Sequence, residues 1–166
     1  MTNQNGISHD ATPQPLDYER FVAAKMAADP ATGFEPITEM HPALFDYQRD
    51  VVAWSLRRGR AAIFAGTGLG KTFMQLVWAD AVARHAGGRV LILAPLAVAT
   101  QTAREARVFG IDGVAYMRAD DGVTRIVITN YELLPHFDPG AFVAIVLDES
   151  SILKHHDSKT RGAVIA

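Results

Sequence analysis

The chain has 166 residues, 49% of them hydrophobic and 20% charged, which is the balance of one globular domain with a real core. It has no cysteine, which excludes disulfides and thiolate metal sites, and its net charge of −2 argues against a domain that holds nucleic acid by bulk positive charge. The first 40 residues carry six acids and two bases and the rest twelve acids and fourteen bases, so any nucleic-acid contact must be local or shared with a partner domain.

Residues 1–40 are predicted to form an amino-terminal extension that is partly disordered and partly helical. Residues 1–15 are polar and contain two prolines, and residues 16–29 have the apolar spacing of a short helix. The first twenty residues have neither the basic start nor the apolar block of a secretory signal. No apolar run approaches the ~20 residues of a membrane span, so we expect a cytoplasmic chain without membrane association.

Residues 41–166 are predicted to form an α/β domain. A helix is expected to begin after Pro42 and to run to Arg58, where Gly59 ends it. Short, continuous apolar runs then follow, typical of parallel strands covered on both faces, with a crossover helix over "KTFMQLVWADAVARHAGG". The runs are "AAIFA" (61–65), "VLILA" (90–94), "RIVIT" (125–129) and "FVAIVL" (142–147). The pattern predicts a three-layer domain around a parallel sheet.

A glycine-rich stretch, "AGTGLGKT" at 65–72, lies between the first predicted strand and the crossover helix. Glycine backbones can turn so that successive N–H groups face one ligand, and the start of a helix adds partial positive charge. Lys71 would reach the β- and γ-phosphates of a nucleotide, and the Thr72 hydroxyl would bind Mg²⁺. The strict pattern has glycine where this chain has Ala65. The residues predicted to bind nucleotide here are Gly66, Thr67, Gly68, Leu69, Gly70, Lys71 and Thr72.

Two adjacent acids, Asp148 and Glu149, follow the last predicted strand in "VLDESS". Adjacent carboxylates at a strand end are costly unless they meet a cation. Ligands of open parallel sheets bind outside the carboxyl ends of the strands, so the acids and the glycine-rich loop are expected at one crevice. We predict that Asp148 holds the Mg²⁺ shared with Thr72 and that Glu149 polarises the attacking water.

Three further stretches carry weaker signals. Gln48 lies on the helix predicted to precede the first strand, and its amide both donates and accepts, so it can read the edge of adenine. A helical glutamine by itself is more often a solvated side chain. "APLAVATQ" and "TNYE" follow the second and third predicted strands and offer hydroxyl, amide and backbone N–H groups that suit phosphodiester contacts, although neither is specific alone.

Taken in order, these stretches resemble the Q motif and motifs I, Ia, Ib and II of superfamily-two DEAD/DEAH-box helicases. The resemblance is carried by Gln48, "AGTGLGKT", "APLAVATQ", "TNYELL" and "LDESSILK". "GLGKT" with "DESSILK" is most similar to the Swi/Snf-like branch and, within it, to phage-encoded helicases. The lead-in "YERFVAAKMAADPATGFEP" is similar too, so the resemblance covers nearly the whole chain. The chain differs in having "DESS" where many relatives have Asp-Glu-Ala-His.

The resemblance implies the first RecA-like lobe of a P-loop NTPase motor that uses ATP and Mg²⁺ to move along or open DNA. It implies catalytic roles for Lys71 and Glu149, Mg²⁺ binding by Thr72 and Asp148, and adenine binding by Gln48. The residues it would place near the nucleic-acid backbone are Thr100, Gln101, Thr129 and Asn130. Such motors need a second RecA-like lobe, so we expect a truncated lobe, the amino-terminal fragment of a phage- or prophage-encoded protein in a bacterial host.

Two other functions fit the same motifs. One is the motor part of a restriction-system subunit, which shares the motifs but works beside a nuclease. The other is a nucleotide-binding module that does not hydrolyse ATP and serves as an interaction domain. Measuring ATP hydrolysis with and without DNA separates a motor from such a module.

Overall fold

The computed structural model describes residues 19, 20, 22, 30–36 and 40–149 of the chain, which divides into two compact units, Met1–Ala31 and Thr32–Ala166. In the first unit, residues 19, 20 and 22 are helical, and most of the helix predicted over 16–29 lies outside the described residues, as does the polar lead-in 1–15. The second unit begins before residue 41 because the backbone N–H groups of Thr32, Gly33 and Phe34 donate to carbonyls at residues 58, 57 and 56.

Three α-helices, four β-strands and two 3₁₀ segments make up the described part of the second unit. In chain order they are α1 (Asp46–Arg58), α2 (Lys71–Ala86), β1 (Val90–Leu93), α3 (Leu96–Val108), β2 (Val114–Tyr116), β3 (Ile126–Thr129), the 3₁₀ segments Tyr131–His136 and Pro139–Ala141, and β4 (Ala144–Leu147). None of the helices in the described residues is long and apolar enough to cross a membrane.

The strands form one parallel sheet in the order β2-β3-β1-β4, which confirms the predicted α/β class. The last residues of β1, β3 and β4 are in register, with Leu93 opposite both Thr129 and Leu147. Because the strands are parallel, everything that follows β3, β1 and β4 emerges at the same edge of the sheet. The residues after these strands are therefore brought together by the topology.

The two faces of the sheet are covered by different layers. Val90, Ile92, Ile126 and Ile128 face one way and belong to the core that the three helices cover. The alternate strand residues face the other way and pack against the segment from Tyr131 to Phe137. Burial of both faces explains why these strands are continuous apolar runs in the sequence.

Glycines end α1 and precede and follow α2, as the sequence predicts. Gly59 follows α1 with φ 79°, and its N–H donates to the Ser55 carbonyl. Gly70 and Gly87 flank α2 in the left-handed conformation, with φ 71° and 63°. Both α1 and α2 also carry basic residues in their last turn, where positive charge interacts favourably with the negative end of the helix dipole.

The prediction of a strand over residues 61–65 is wrong. Residues 61–66 have no regular secondary structure and pair with no strand among the described residues. Phe64 is 96% exposed and Ile63 41% exposed, whereas residues of the central strands are fully buried. A strand needs a hydrogen-bonded neighbour as well as an apolar run, and in the described sheet β4 is bonded only to β1.

Besides the two 3₁₀ segments, one helix and one strand were not predicted. The stretch "PLAVATQ" after the second predicted strand contains the beginning of α3, whose buried residues Ala99, Thr102, Ala103 and Ala106 follow the helical spacing. This periodicity is present in the sequence and was the signal that could have found the helix. β2 is only three residues long and has no such signal.

An ion pair between Arg89 and Asp120 holds the residue that precedes β1. Arg89, whose side chain is 16% exposed, donates from Nη1 to Asp120 Oδ2 at 3.0 Å and also bonds the other carboxylate oxygen through Nη2. Its Nε donates to the Thr124 carbonyl, and its guanidinium lies over the Phe142 ring. The hydrogen bond from Arg89 lowers the pKa of Asp120, and hydrogen bonds from Thr124 lower the pKa of Asp121 to about 2.

The Arg89–Asp120 ion pair leads to a prediction about how the free energy of unfolding changes at acidic pH. Because the folded-state pKa of Asp120 lies below its usual value of 3.8, its contribution is present above that pH and is lost as the pH falls through the folded-state value. Asp120→Asn should lower the free energy of unfolding at pH 7 by about 1–3 kcal/mol, since Arg89 loses its anionic partner. Chemical denaturation between pH 7 and pH 3 checks this. A variant as steeply destabilised below pH 4 as the wild type would show that Asp120 is not responsible.

Candidate nucleotide-binding site

The glycine-rich loop turns directly into the amino terminus of α2. Gly68 and Gly70 have φ of 80° and 71°, conformations that residues with a Cβ rarely adopt, and α2 begins at Lys71. The first turn of a helix has backbone N–H groups without partners inside the helix, and its dipole favours negative charge. Such a backbone suits an anion, and phosphate binding by the loop stays a prediction.

Alanine at the two left-handed glycines should have unequal effects. Each substitution should lower the free energy of unfolding by about 1–2 kcal/mol, because a residue with a Cβ is strained in the left-handed conformation. A Cβ at Gly70 would also overlap the Gln48 amide nitrogen, whereas one at Gly68 meets nothing within 4 Å. Gly70→Ala should therefore reduce the free energy of unfolding more than Gly68→Ala, as measured by urea denaturation. Equal losses would mean that the Gln48 contact adds nothing.

The Lys71 ammonium lies inside the loop. Its Nζ donates to the carbonyls of Ala65 at 3.0 Å and Gly66 at 2.9 Å. An ammonium has three N–H donors, so one remains for a further acceptor while both loop contacts hold. Lys71 thus holds the start of the loop and brings the positive charge that phosphates need.

The two acids follow β4 at the edge of the sheet where the parallel strands end. The Asp148 N–H donates to the Leu93 carbonyl at 2.8 Å, and the Asp148 carbonyl accepts from the Tyr131 hydroxyl at 2.6 Å. The residue's backbone is thereby fixed to β1 on one side and to the 3₁₀ segment on the other. Burial, together with the charges of Asp148 and Glu149, raises the pKa of Tyr131 to about 12, so its hydroxyl stays a donor.

The surroundings of the Asp148 carboxyl act on its pKa in both directions. Burial raises its pKa most, and the neighbouring Glu149 charge raises it further. The Gln75 side chain and the Lys71 charge lower it. Gln75 thus lies beside the carboxyl, yet its Nε2 has no hydrogen bond of good geometry within the described residues.

The Lys71 charge lowers the pKa of Asp148, so the two side chains lie within electrostatic range of each other. Glu149 is exposed and has φ 57°, a left-handed conformation that is unusual for a residue with a side chain. Strained backbone of this kind is found at functional sites. Gln75 was not predicted as a site residue, although its position one turn after Lys71, on the same helix face, was the available signal.

The residues present suit a magnesium ion bound with phosphate. Mg²⁺ is usually held by one or two carboxylates plus substrate phosphates and waters rather than by a cage of protein ligands. The described residues contain no group of three or more acidic, histidine or cysteine side chains that could hold a metal alone. Thr72, in the first turn of α2, and Asp148, beside the Lys71 charge, are the residues that would hold the ion.

Gln48 is buried, with 4% of its surface exposed, and both ends of its amide have partners within the protein. Its Oε1 accepts from the Phe45 N–H at 3.0 Å, and its Nε2 donates to the Leu69 carbonyl at 3.1 Å. Tyr47, which the sequence analysis did not single out, donates its hydroxyl to the same carbonyl at 3.2 Å. Adenine reading by Gln48 stays a prediction, and it would have to use the remaining lone pair and N–H.

The four residues predicted near nucleic acid divide into two pairs. Thr100 and Gln101 are exposed on α3. Thr129 is fully buried and donates its hydroxyl to the Met117 carbonyl at 2.8 Å, and Asn130 is 3% exposed. The side chains of this second pair are covered by the protein, so in this structure they do not offer a surface to a phosphodiester backbone. Their role here is in the packing of the β3 end.

Comparison with known proteins gives matches of structure only. No protein-family model and no curated protein sequence matches the chain. Two crystal structures of the UvsW helicase from bacteriophage T4 match 88% of this chain with a TM-score of 0.61 and 17% sequence identity. The chain spans 55% of one of these chains and 31% of the other. The predicted α/β, RecA-like fold is confirmed by this match, because the chain shares the fold of part of the UvsW helicase.

Proposed function

We propose that this chain is the ATP-binding part of an ATP-dependent DNA helicase or translocase. The observation that carries the proposal is that the Lys71 ammonium, held in the left-handed glycine loop, lies within electrostatic range of Asp148 in the Asp148–Glu149 pair. A phosphate loop binds a nucleoside triphosphate. An adjacent pair of acids can hold the Mg²⁺ and position the water that its hydrolysis needs. The helicase fold is the second support.

In this proposal, each residue has a separate task. The amides of the loop and Lys71 bind the phosphates, and Thr72 and Asp148 hold Mg²⁺. When bound, Mg²⁺ neutralises charge that develops on the phosphate oxygens. Glu149 accepts a hydrogen bond from the attacking water and polarises it. Asp148 is kept in place by its backbone contacts to Leu93 and Tyr131.

DNA is proposed as the second ligand because of the helicase fold and the motif order. Thr100 and Gln101 are exposed near the beginning of α3, which follows β1 at the same sheet edge as the acids. They offer hydroxyl and amide groups to a phosphate backbone, and positioning contacts of this kind carry no sequence preference. Movement on DNA, an origin in a phage or prophage and a location in the bacterial cytoplasm belong to the same proposal.

The test is ATP hydrolysis by the full gene product, with and without duplex DNA. We expect Mg²⁺-dependent hydrolysis that DNA accelerates. Binding of Mg-ATP without any turnover, in the presence or absence of DNA, would identify a nucleotide-binding module instead of a motor. Hydrolysis that DNA leaves unchanged would remove DNA from the proposal.

A further inference from the structure

We infer that Gln48 and Tyr47 are positioning residues of the phosphate loop: they orient the peptide group between Leu69 and Gly70. The inference rests on the proposed nucleotide site and names a device within it. Its starting point is one carbonyl, that of Leu69, which accepts from both side chains, Gln48 Nε2 at 3.1 Å and the Tyr47 hydroxyl at 3.2 Å.

The orientation of the following N–H results from the geometry of the peptide bond. A trans peptide is planar, and its C=O and N–H point in opposite directions. With the Leu69 carbonyl held against α1, the Gly70 N–H must point away from α1. The N–H groups of this loop that point away from the protein are those that meet a phosphate.

This peptide is also able to rotate. Gly70 has no Cβ and a φ of 71°, so its backbone has several conformations of similar energy. A rotated peptide would turn the Leu69 carbonyl, with its partial negative charge, toward the phosphates. Two donors on one carbonyl prevent that rotation.

Gln48 can act as a rigid support because it is held at its other end. Its Oε1 accepts from the Phe45 N–H, so the side chain ties the start of α1 to the loop. This is the glutamine half of a capping box, in which the third helical residue bonds back to the residue before the helix. At 4% exposure the side chain has little freedom to leave this position.

The inference makes a prediction that differs from adenine reading. If Gln48 serves the loop, its loss weakens every ligand that binds through phosphates, with or without a base. If Gln48 reads adenine, its loss weakens ATP alone. Inorganic tripolyphosphate has no base, so it separates the two functions.

We would measure binding of Mg-ATP, Mg-GTP and Mg-tripolyphosphate by calorimetry for the wild type, Gln48→Glu and Tyr47→Phe. Glutamate keeps the acceptor for the Phe45 N–H but cannot donate to the Leu69 carbonyl. Gln48→Glu should weaken all three ligands by a similar factor, about 10- to 100-fold, the range for one hydrogen bond to a charged group. Tyr47→Phe should show the same pattern with a smaller factor.

The controls make a structural defect visible. Asp50→Asn, at an exposed position of α1, changes the charge of the same helix and should leave all three affinities unchanged. Tyr47 is 46% exposed, so removal of its hydroxyl leaves the core intact and Tyr47→Phe tests the inference even if Gln48→Glu folds poorly. Tripolyphosphate and GTP affinities that are unchanged in both variants overturn the inference. A folded wild type that binds none of the three ligands contradicts the proposed function itself.

Discussion

Lys71→Ala is expected to weaken binding of Mg-ATP by roughly 100-fold, which is within the range for one charge-assisted hydrogen bond to phosphate. Lys71 supplies the side-chain cation of the glycine-rich loop, and its charge also acts on Asp148. The substitution removes in addition the contacts of Nζ with the Ala65 and Gly66 carbonyls, so the entry of the loop loses its support.

The control for the loss of one positive charge is Arg104→Ala, at an exposed position of α3. Calorimetric titration with Mg-ATP should give the wild-type affinity for this variant. An alanine at position 71 that leaves the affinity within a few-fold of the wild type would place the phosphates elsewhere.

Glu149→Gln is expected to keep Mg-ATP affinity and to lower turnover by about 10²–10⁴-fold, the usual contribution of a positioned general base. The amide preserves the shape of the side chain but cannot polarise water as a carboxylate does. Single-turnover hydrolysis by the full gene product measures the chemical step, and calorimetry on the same variant measures binding.

Glu35→Gln is the matched control for this substitution. Glu35 is an exposed acid, 74% exposed in its side chain, that pairs with Arg57 at the surface. Its replacement should change neither affinity nor turnover, because exposed ion pairs contribute little. If Glu149→Gln weakens binding as much as Lys71→Ala does, the separate roles assigned to the two residues are wrong.

Much of the sheet and two helices could be predicted from the sequence because their signals are local. The runs at 90–94, 125–129 and 142–147 contain β1, β3 and β4, of which the first two are buried and the third is partly exposed, and Gly59 and Gly87 end helices as expected. The segment 61–65 has an equally good local signal and is not a strand. The difference is the hydrogen-bonded neighbour, and no property of "AAIFA" itself reveals whether one is present.

The candidate site shows the same limit. Motif order and strand ends were enough to expect Lys71 and Asp148 at one crevice, since parallel topology brings strand ends together. The sequence did not reveal that Gln48 is engaged at both ends of its amide or that Tyr47 shares the Leu69 carbonyl. These are contacts between α1 and a loop more than twenty residues away, and they depend on how the two segments pack.

The central claim is that the glycine-rich loop and the acids after β4 form one Mg-nucleotide site, and its most direct test is the Mg²⁺ dependence of ATP binding in Asp148→Asn. Titration of the wild-type chain should show ATP binding that Mg²⁺ strengthens. In the variant, ATP should bind through the loop with the same affinity whether Mg²⁺ is present or absent. A folded wild-type chain that does not bind Mg-ATP, or a variant with the full wild-type response to Mg²⁺, would contradict the single site.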